Sequence, residues 1–393
     1  MLWKPDNPTT AELSALDGSA LRGVIARGIE ADGGWWPFDR FMSAALYTPG
    51  LGYYSGYQRK FGLMPGSGSD FVTAPELSAL FGRALAVQVR QALEATGTRT
   101  VCEFGAGSGA LAEQLLQALE GAVERYLIID LSGTLRQRQA ERLARFGDRV
   151  QWLDHWPSSL AAVVVANELL DALPVTLLHW DGAHWWERGV ALGQAAAEAA
   201  PLVWADQPTD LRPPVDGRTP SVDEDTGMRW SQRFVAGTVV EIHPQAEAFM
   251  RSLAACLQRG AAFFIDYGFP EHEYYHPQRT GGTLMCHRAH RADPDPLSDV
   301  GLKDITAHVN FTAVALAAQE AGLTVLGYTS QARFLMNCGL VELMGEQDVA
   351  ARGQAAKLIT EHEMGELFKV LGVAAGEGFE ALGFARGDRS HTL

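Results

Sequence analysis

Glu103-Phe104-Gly105-Ala106-Gly107-Ser108-Gly109 follows the short apolar run Thr100-Val101-Cys102 and precedes Ala110 to Leu119, where Leu111, Leu115, Leu116 and Leu119 share one helical face. An apolar run that breaks into alternating glycines and restarts as an amphipathic segment predicts a strand, a tight turn and a helix. Glycine lets backbone approach a ligand closely, because no Cβ intervenes and left-handed φ is open to it. The first N–H groups of the following helix point, unpaired, at the same space.

The rhythm continues outward. Tyr126 to Ile129 predicts a second strand ending at Asp130, Leu135 to Phe146 a helix, and Val150 to Leu153 a third strand ending at Asp154. Ala161 to Ala166 predicts a fourth strand ending at Asn167-Glu168. Pro201 to Trp230 reads as a surface insertion. The sheet pattern resumes with Val239 to Ile242, a helix around Gln245 to Leu257, and strands Ala261 to Ile265 and Leu323 to Tyr328. Leu358 to Leu371 reads as a helix and the last ten residues as frayed. Continuous apolar strands alternating with amphipathic helices predict an α/β fold, a Rossmann-like parallel sheet covered on both faces.

Upstream, residues 1–97 read as a mostly helical extension with a lid. One helix is predicted from Leu13 to Glu30, stopped by Asp32-Gly33-Gly34, and another from Pro75 towards Ala95, closed by Gly97. Between them Phe38 to Thr73 is a loop rich in glycine and aromatic residues, a composition more common in binding lids than in linkers. The core then spans 98–393, with a surface insertion near 201–235 and a substrate-side insertion near 268–311.

A net charge of −15 over 393 residues repels phosphate backbones and argues against a nucleic acid partner. It suits a basic protein or a small neutral ligand. Cys102, Cys256, Cys286 and Cys338 form no C-x-x-C pair, so no zinc or other metal site is expected, and a reducing compartment is. No signal peptide and no stretch of eighteen apolar residues is visible, which gives a cytoplasmic expectation without membrane attachment.

Four successive strands deliver polar groups at their carboxyl ends, where open α/β sheets bind ligands. Asp130 is placed to accept hydrogen bonds from ribose hydroxyls, and Asp154 to touch an adenine amino group. Gly105, Gly107 and Ala110 also satisfy a loose dinucleotide fingerprint, so a nicotinamide-dependent oxidoreductase competes. Glu103, two places before the first glycine, favours a cofactor bearing a cation over one bearing a pyrophosphate. S-adenosylmethionine has an ammonium and a sulfonium and no phosphate.

Several longer strings resemble the MidA-type methyltransferases, whose relatives include a mitochondrial complex I assembly factor regarded as a protein arginine methyltransferase. They are Phe41-Met42, Ala45-Leu46-Tyr47, Gly52-Tyr53-Tyr54, Asp70-Phe71-Val72-Thr73-Ala74-Pro75-Glu76, and Asn167-Glu168-Leu169-Leu170-Asp171-Ala172-Leu173-Pro174. Asp266-Tyr267-Gly268, Gly282-Thr283-Leu284 and Asp304-Ile305-Thr306-Ala307-His308-Val309-Asn310-Phe311 complete the set, over roughly residues 38 to 340. Ser69, Asp130 and Asn310 depart from the pattern, which has glycine, glutamate and aspartate there.

The resemblance implies a class I methyltransferase sheet with a mostly helical N-terminal extension, insertions after the fourth strand, and S-adenosylmethionine as cofactor. It implies that Glu103, Gly105, Ala106 and Gly107 face the methionine part, Asp130 with Leu131 the ribose, Asp154 the adenine, and Asn167 the sulfonium. The implied acceptor is an arginine on a protein with a basic segment. A carboxylate pair would orient a guanidinium and offset its charge. Glu168 and Asp171 are the candidates for that pair, although Asp171 also fits a helix cap. Asp70, Thr73, Glu76 and His308 are candidate lid or substrate residues. Glu76 equally suits a helix's first turn, and a lone histidine is commonly structural. Tyr47, Tyr53, Tyr54, Trp35 and Trp36 either line a channel or pack, and packing is the commoner use. A silent cofactor-binding assembly protein and a small-molecule methyltransferase remain as alternatives.

Overall fold

The computed structural model describes residues 10–56, 73–194, 200–216, 233–288 and 291–393, with the backbone alone for residues 10–17 and Thr134. Asp70 and the acidic run Asp223-Glu224-Asp225 lie outside the described residues. The chain forms two compact units. One comprises Met1–Lys60, Pro174–Ile242 and Thr280–Thr306, and the other Phe61–Leu173, His243–Arg279 and Ala307–Leu393. This differs from the expected division at residue 97, since pieces distant in sequence are gathered by strand pairing.

The second unit carries the sheet that the glycine turn announces. Its seven long strands are β1 (Thr100–Phe104), β2 (Arg125–Ile129), β3 (Val150–Leu153), β4 (Leu160–Asn167), β5 (Leu257–Phe269), β6 (Leu323–Ser330) and β7 (Phe368–Ala375). Their order is β3-β2-β1-β4-β5-β7-β6. All run parallel except β7, which pairs antiparallel with both β5 and β6. A short piece, Val309–Asn310, adds in parallel at the end of β5.

Strand β1 is buried at every position, as its unbroken apolar character requires between two helical layers. Alternate residues of the strands face opposite ways. Val101, Val163 and Phe263 pack with Leu85 and Val89 of helix Ala79–Thr96 and Leu115 of helix Ala110–Ala118. Cys102, Val164 and Phe264 pack with Met250 and Leu253 of helix Pro244–Cys256 and Val314 of helix Phe311–Glu320.

Several expectations need correction. Leu358–Leu371 is not a helix: its second half begins β7, and Phe368-Lys369-Val370-Leu371 lies between two strands. A short apolar run buried on both sides has no period that separates strand from helix. Val239–Ile242 is a strand of the first unit and not of this sheet. The helix expected from Pro75 breaks at Ser78, where φ is −152°, giving Ala74–Leu77 and Ala79–Thr96. The last residues are tied down: Asp388 Oδ1 accepts from Tyr328 N at 3.0 Å, and Arg389 N donates to Tyr328 O at 2.6 Å, along the outer edge of β6. An edge covered this way offers no template to another strand.

The first unit holds an antiparallel sheet in the order Trp35–Pro37, Trp185–Leu192, Thr176–Trp180, Val239–Ile242, with Leu202–Pro208 also on Trp185–Leu192. The expected surface insertion therefore begins as a strand. The expected lid starts as helix Phe38–Tyr47, whose Phe38, Phe41, Met42, Ala45 and Leu46 are buried. The aromatic residues considered for a channel pack within this unit. Tyr53 is buried, Tyr47 stacks on Tyr54 at 5.6 Å, and Tyr54 donates to Asp304 at 2.9 Å. Trp36 donates to Asp32 at 2.7 Å and Trp35 to Ala205 O at 2.9 Å.

Gly260 shows how tightly β5 meets β4: φ is +142°, and an added Cβ would stand 1.8 Å from Ala162 O. Gly353, inside helix Val349–Lys357, faces open space. Gly260→Ala is expected to destabilise by more than ~3 kcal/mol or prevent folding, while Gly353→Ala stabilises by ~0.5–1 kcal/mol. Urea unfolding of the two variants checks the contrast.

Candidate active site

The parallel strands end in register. Phe104 pairs with Ile129 and Ala166, and Ile129 with Leu153, so Gly105, Asp130, Asp154 and Asn167 follow at one edge of the sheet. Beyond β1 the backbone takes left-handed φ at Gly105 (67°), Gly107 (53°) and Gly109 (79°). A Cβ on Gly105 would stand 3.0 Å from Leu169 Cδ1. The sequence thus folds into a turn whose inner side presents backbone and no side chain.

Glu103 is buried beneath this turn and accepts from the Tyr126 hydroxyl at 2.7 Å. Burial pushes its carboxyl up to about 8; the Tyr126 hydrogen bond pulls it down and the Asp130 charge adds to the rise. Such an acid gains most from a cation brought beside it. At the tip of β2, burial also raises Asp130, opposed by the Ser132 N–H at 2.9 Å and the Gln139 amide at 2.8 Å. Leu131, next to it, is 80% exposed, an apolar side chain with no packing of its own at the rim. Asp154 is exposed and paired with Arg136 at 2.6 Å, a contact that water screens. Asn167 Oδ1 is buried and accepts no hydrogen bond among the described residues. An orphaned buried acceptor calls for a donor from a ligand. The bare turn, the acids and this orphan together fit a cation-bearing nucleoside.

Glu76 does more than begin a helix. Its carboxylate accepts from Ser108 Oγ in the glycine turn and from Arg142 at 2.9 Å, while Arg142 also donates to Glu113 at 2.8 Å. Thr73 contributes its carbonyl, which accepts from Glu76 N at 3.0 Å and so starts helix Ala74–Leu77.

The stretch after β4 forms a second group of acids. Glu168 holds φ at +53°, a left-handed conformation that costs a residue with a Cβ roughly 1 kcal/mol or more. Asp266, at the end of β5, holds this bend: its Oδ2 accepts from the N–H groups of Leu169 (3.1 Å), Leu170 (2.8 Å) and Asp171 (3.2 Å). Asp171 Oδ2 accepts from the Tyr267 hydroxyl. Asp171 Oδ1 is buried and accepts no hydrogen bond of ordinary geometry among the described residues. Burial raises the Asp171 carboxyl, partly offset by Tyr267 and nearby backbone N–H groups. It raises Asp266 further, with the charges of Asp171 and Glu168 adding. His308 stacks on Phe269 at 5.3 Å and meets Tyr267 edge-on at 5.0 Å.

Asp171 is thus a buried acid at the floor of the bend. Asn310, where the pattern has aspartate, caps helix Phe311–Glu320 by accepting from Ala313 N at 3.2 Å. Asparagine and aspartate cap equally well, so the cap survives the departure, although the buried Asn310 Nδ2 makes no hydrogen bond of ordinary geometry among the described residues. Asp266, Tyr267 and Ser108 escaped assignment, since their roles depend on contacts across strands.

A parallel sheet with this turn and these strand-tip acids defines a Rossmann-like S-adenosylmethionine-dependent methyltransferase. Residues 82–329 match the family described as "Putative S-adenosyl-L-methionine-dependent methyltransferase", and the chain belongs to that family. A crystal structure of a Burkholderia thailandensis protein bound to S-adenosyl-homocysteine is 48% identical, with TM-score 0.89, covering 99% of this chain and 100% of that one. A native crystal structure from the same organism is 46% identical, with TM-score 0.85 and the same coverage. Among curated proteins, the mitochondrial protein arginine methyltransferase NDUFAF7 of Danio rerio is 27% identical over 376 residues, 85% of this chain and 82% of that one. The family resemblance, the fold class, the enzyme class and the cofactor read from the sequence are borne out.

Calorimetry with S-adenosylhomocysteine is expected to show Asp130→Ala weakening binding by about one to three powers of ten, from loss of charge-assisted contacts. Glu103 keeps its proton up to about pH 8 without ligand, and a cationic ligand favours the ionised form. Affinity should therefore climb as pH rises towards about 8, and Glu103→Gln should flatten the climb.

Proposed function

We propose that the methyl acceptor is an arginine guanidinium on a basic protein segment, held by Glu168 and Asp171. The observation that carries this reading is the acid cluster itself: Asp171 keeps a buried oxygen that accepts no hydrogen bond of ordinary geometry among the described residues, burial raises its carboxyl, and the charges of Asp171 and Glu168 add to the rise of Asp266. A planar cation with several N–H donors relieves both problems at once. The name carried by the Danio rerio relative and the net charge of −15 point the same way, and the charge disfavours a nucleic acid acceptor.

When bound, S-adenosylmethionine supplies a methyl group activated by its sulfonium. The chain's own residues do the rest. Glu168 and Asp171 accept hydrogen bonds from two guanidinium nitrogens and leave the third to react, a matter of orientation worth several kcal/mol. The guanidinium must shed a proton as the new N–C bond forms and the methyl–sulfur bond breaks. Asp171 Oδ1 receives one from the nitrogen it holds, helped by the burial that raises the proton affinity of this carboxyl. The Tyr267 hydroxyl holds Oδ2 and keeps the carboxylate in one orientation.

Incubation with labelled S-adenosylmethionine and cell extract, followed by amino-acid analysis of the labelled protein, is expected to yield methylarginine. Label confined to other residues or to small molecules would contradict the reading. Asp171→Asn should lower kcat at least ~100-fold while leaving the Kd for S-adenosylhomocysteine within about threefold. The rate falls as pH drops through the raised value of Asp171, because the proton acceptor must be ionised. Tyr267→Phe removes a donor to that carboxylate and should move this acid limb to higher pH.

A further inference from the structure

Helix Gly133–Leu143 reads as a polar surface element, GTLRQRQAERL, yet Gln139 on it is fully buried. A buried amide must be satisfied, and this one is. Gln139 Nε2 donates to Gly107 O at 3.0 Å and to Asp130 Oδ2 at 2.8 Å, and Oε1 accepts from Trp152 Nε1 at 2.9 Å. An indole N–H can only donate, so it fixes which end of the amide is oxygen and aims the NH2 at the other two groups. One side chain thus ties together the glycine turn, the tip of β2 and strand β3.

We propose that Gln139 is a positioning residue for the adenosyl cofactor, acting through Asp130 and Gly107 without touching the ligand. The carboxylate has little freedom left: Oδ1 is held by the Ser132 N–H at 2.9 Å and Oδ2 by Gln139. Each oxygen retains lone-pair capacity for a ribose hydroxyl, in a plane set before the ligand arrives. The same amide holds the carbonyl of Gly107, which sits at a left-handed φ of 53° in the turn that must stay bare. The Ser132 N–H, the Gln139 amide, the Gly107 N–H and the Arg136 charge, in that order, oppose the rise that burial imposes on Asp130. Gln139 therefore favours the ionised carboxylate that hydroxyl donors require.

Two substitutions separate this role from simple packing. Gln139→Met keeps the volume and removes the donors. Gln139→Glu keeps the shape, and at low pH its protonated carboxyl can still donate to Asp130. As pH rises it ionises, loses its donor and repels Asp130, whose surroundings include the Arg136 cation and the Glu103 carboxyl. S-adenosylhomocysteine binding to the full-length protein is measured by calorimetry from acid to alkaline pH, with folding checked by thermal unfolding.

Gln139→Met is expected to bind about tenfold more weakly at every pH. Its effect should shrink severalfold in the Asp130→Ala background, which leaves only the part that acts through Gly107. Gln139→Glu should bind nearly as well as the parent in acid and fall progressively further behind the parent as pH rises. Gln139→Met binding within twofold of the parent, an unchanged Gln139→Met effect in the Asp130→Ala protein, or a Gln139→Glu deficit independent of pH would each overturn the proposal. If Gln139→Met fails to fold, the pH course of Gln139→Glu decides alone. Loss of binding in the parent protein itself would instead strike at the cofactor assignment.

Discussion

A central strand packed on both faces has to leave its sheet somewhere, and the way β1 leaves determines what the neighbouring strand tips can hold. Gly105, Gly107 and Gly109 turn the chain with left-handed φ and keep the inner side of the bend free of side chains. Gly105 N still donates to Ile129 O at 3.0 Å, so the ladder runs to the brink of the turn, and Gly109 N closes it on Ala106 O at 2.8 Å. Ser108 points the other way, to Glu76 and Arg142. A single stretch of backbone therefore positions the Glu76 latch, the Gln139 amide and the first turn of helix Ala110–Ala118.

Around that bare turn the protein buries acids at a cost in stability. Burial raises the carboxyls of Glu103, Asp171 and Asp266 together. A group whose folded-state value is raised in this way binds its proton longer in the native state than in the unfolded chain. Its contribution to stability falls as pH rises from the ordinary carboxylate range to the raised value. A fold that accepts such a penalty at the edge of its sheet is poised for cations. The two groups of acids differ in what holds them. Glu103 rests on a tyrosine beneath the glycine turn, whereas Asp171 and Glu168 ride on a bend in which the N–H groups of Leu169, Leu170 and Asp171 converge on Asp266.

The strand and helix rhythm from residue 100 to 167 was legible because each strand is a largely apolar run and three of the four lead into a polar residue, Asp130, Asp154 or Asn167. The glycine turn and the place of Asp130 at a strand tip could be read from spacing, since both follow from where strands end. Strand β7 was not legible: Lys369 and Gly372 interrupt an apolar run too short to show a period. The strands Thr176–Trp180 and Trp185–Leu192 belong to a separate antiparallel sheet that takes in distant segments, and no local pattern announces such pairing. Gln139 differs from its neighbour Gln137 only in the direction it faces, which the sequence of a polar helix does not reveal. Asp266 and Tyr267 stood in a recognisable string, but their partners are nearly a hundred residues away in the chain.

The convergence of four strand tips on one ligand is tested most directly by amide hydrogen exchange with and without S-adenosylhomocysteine. Protection is expected on ligand addition in four separate stretches: 104–109, 130–132, 152–154 and 166–168. Slowing confined to other parts of the chain, or confined to one of these stretches while the rest exchange unchanged, would contradict the account.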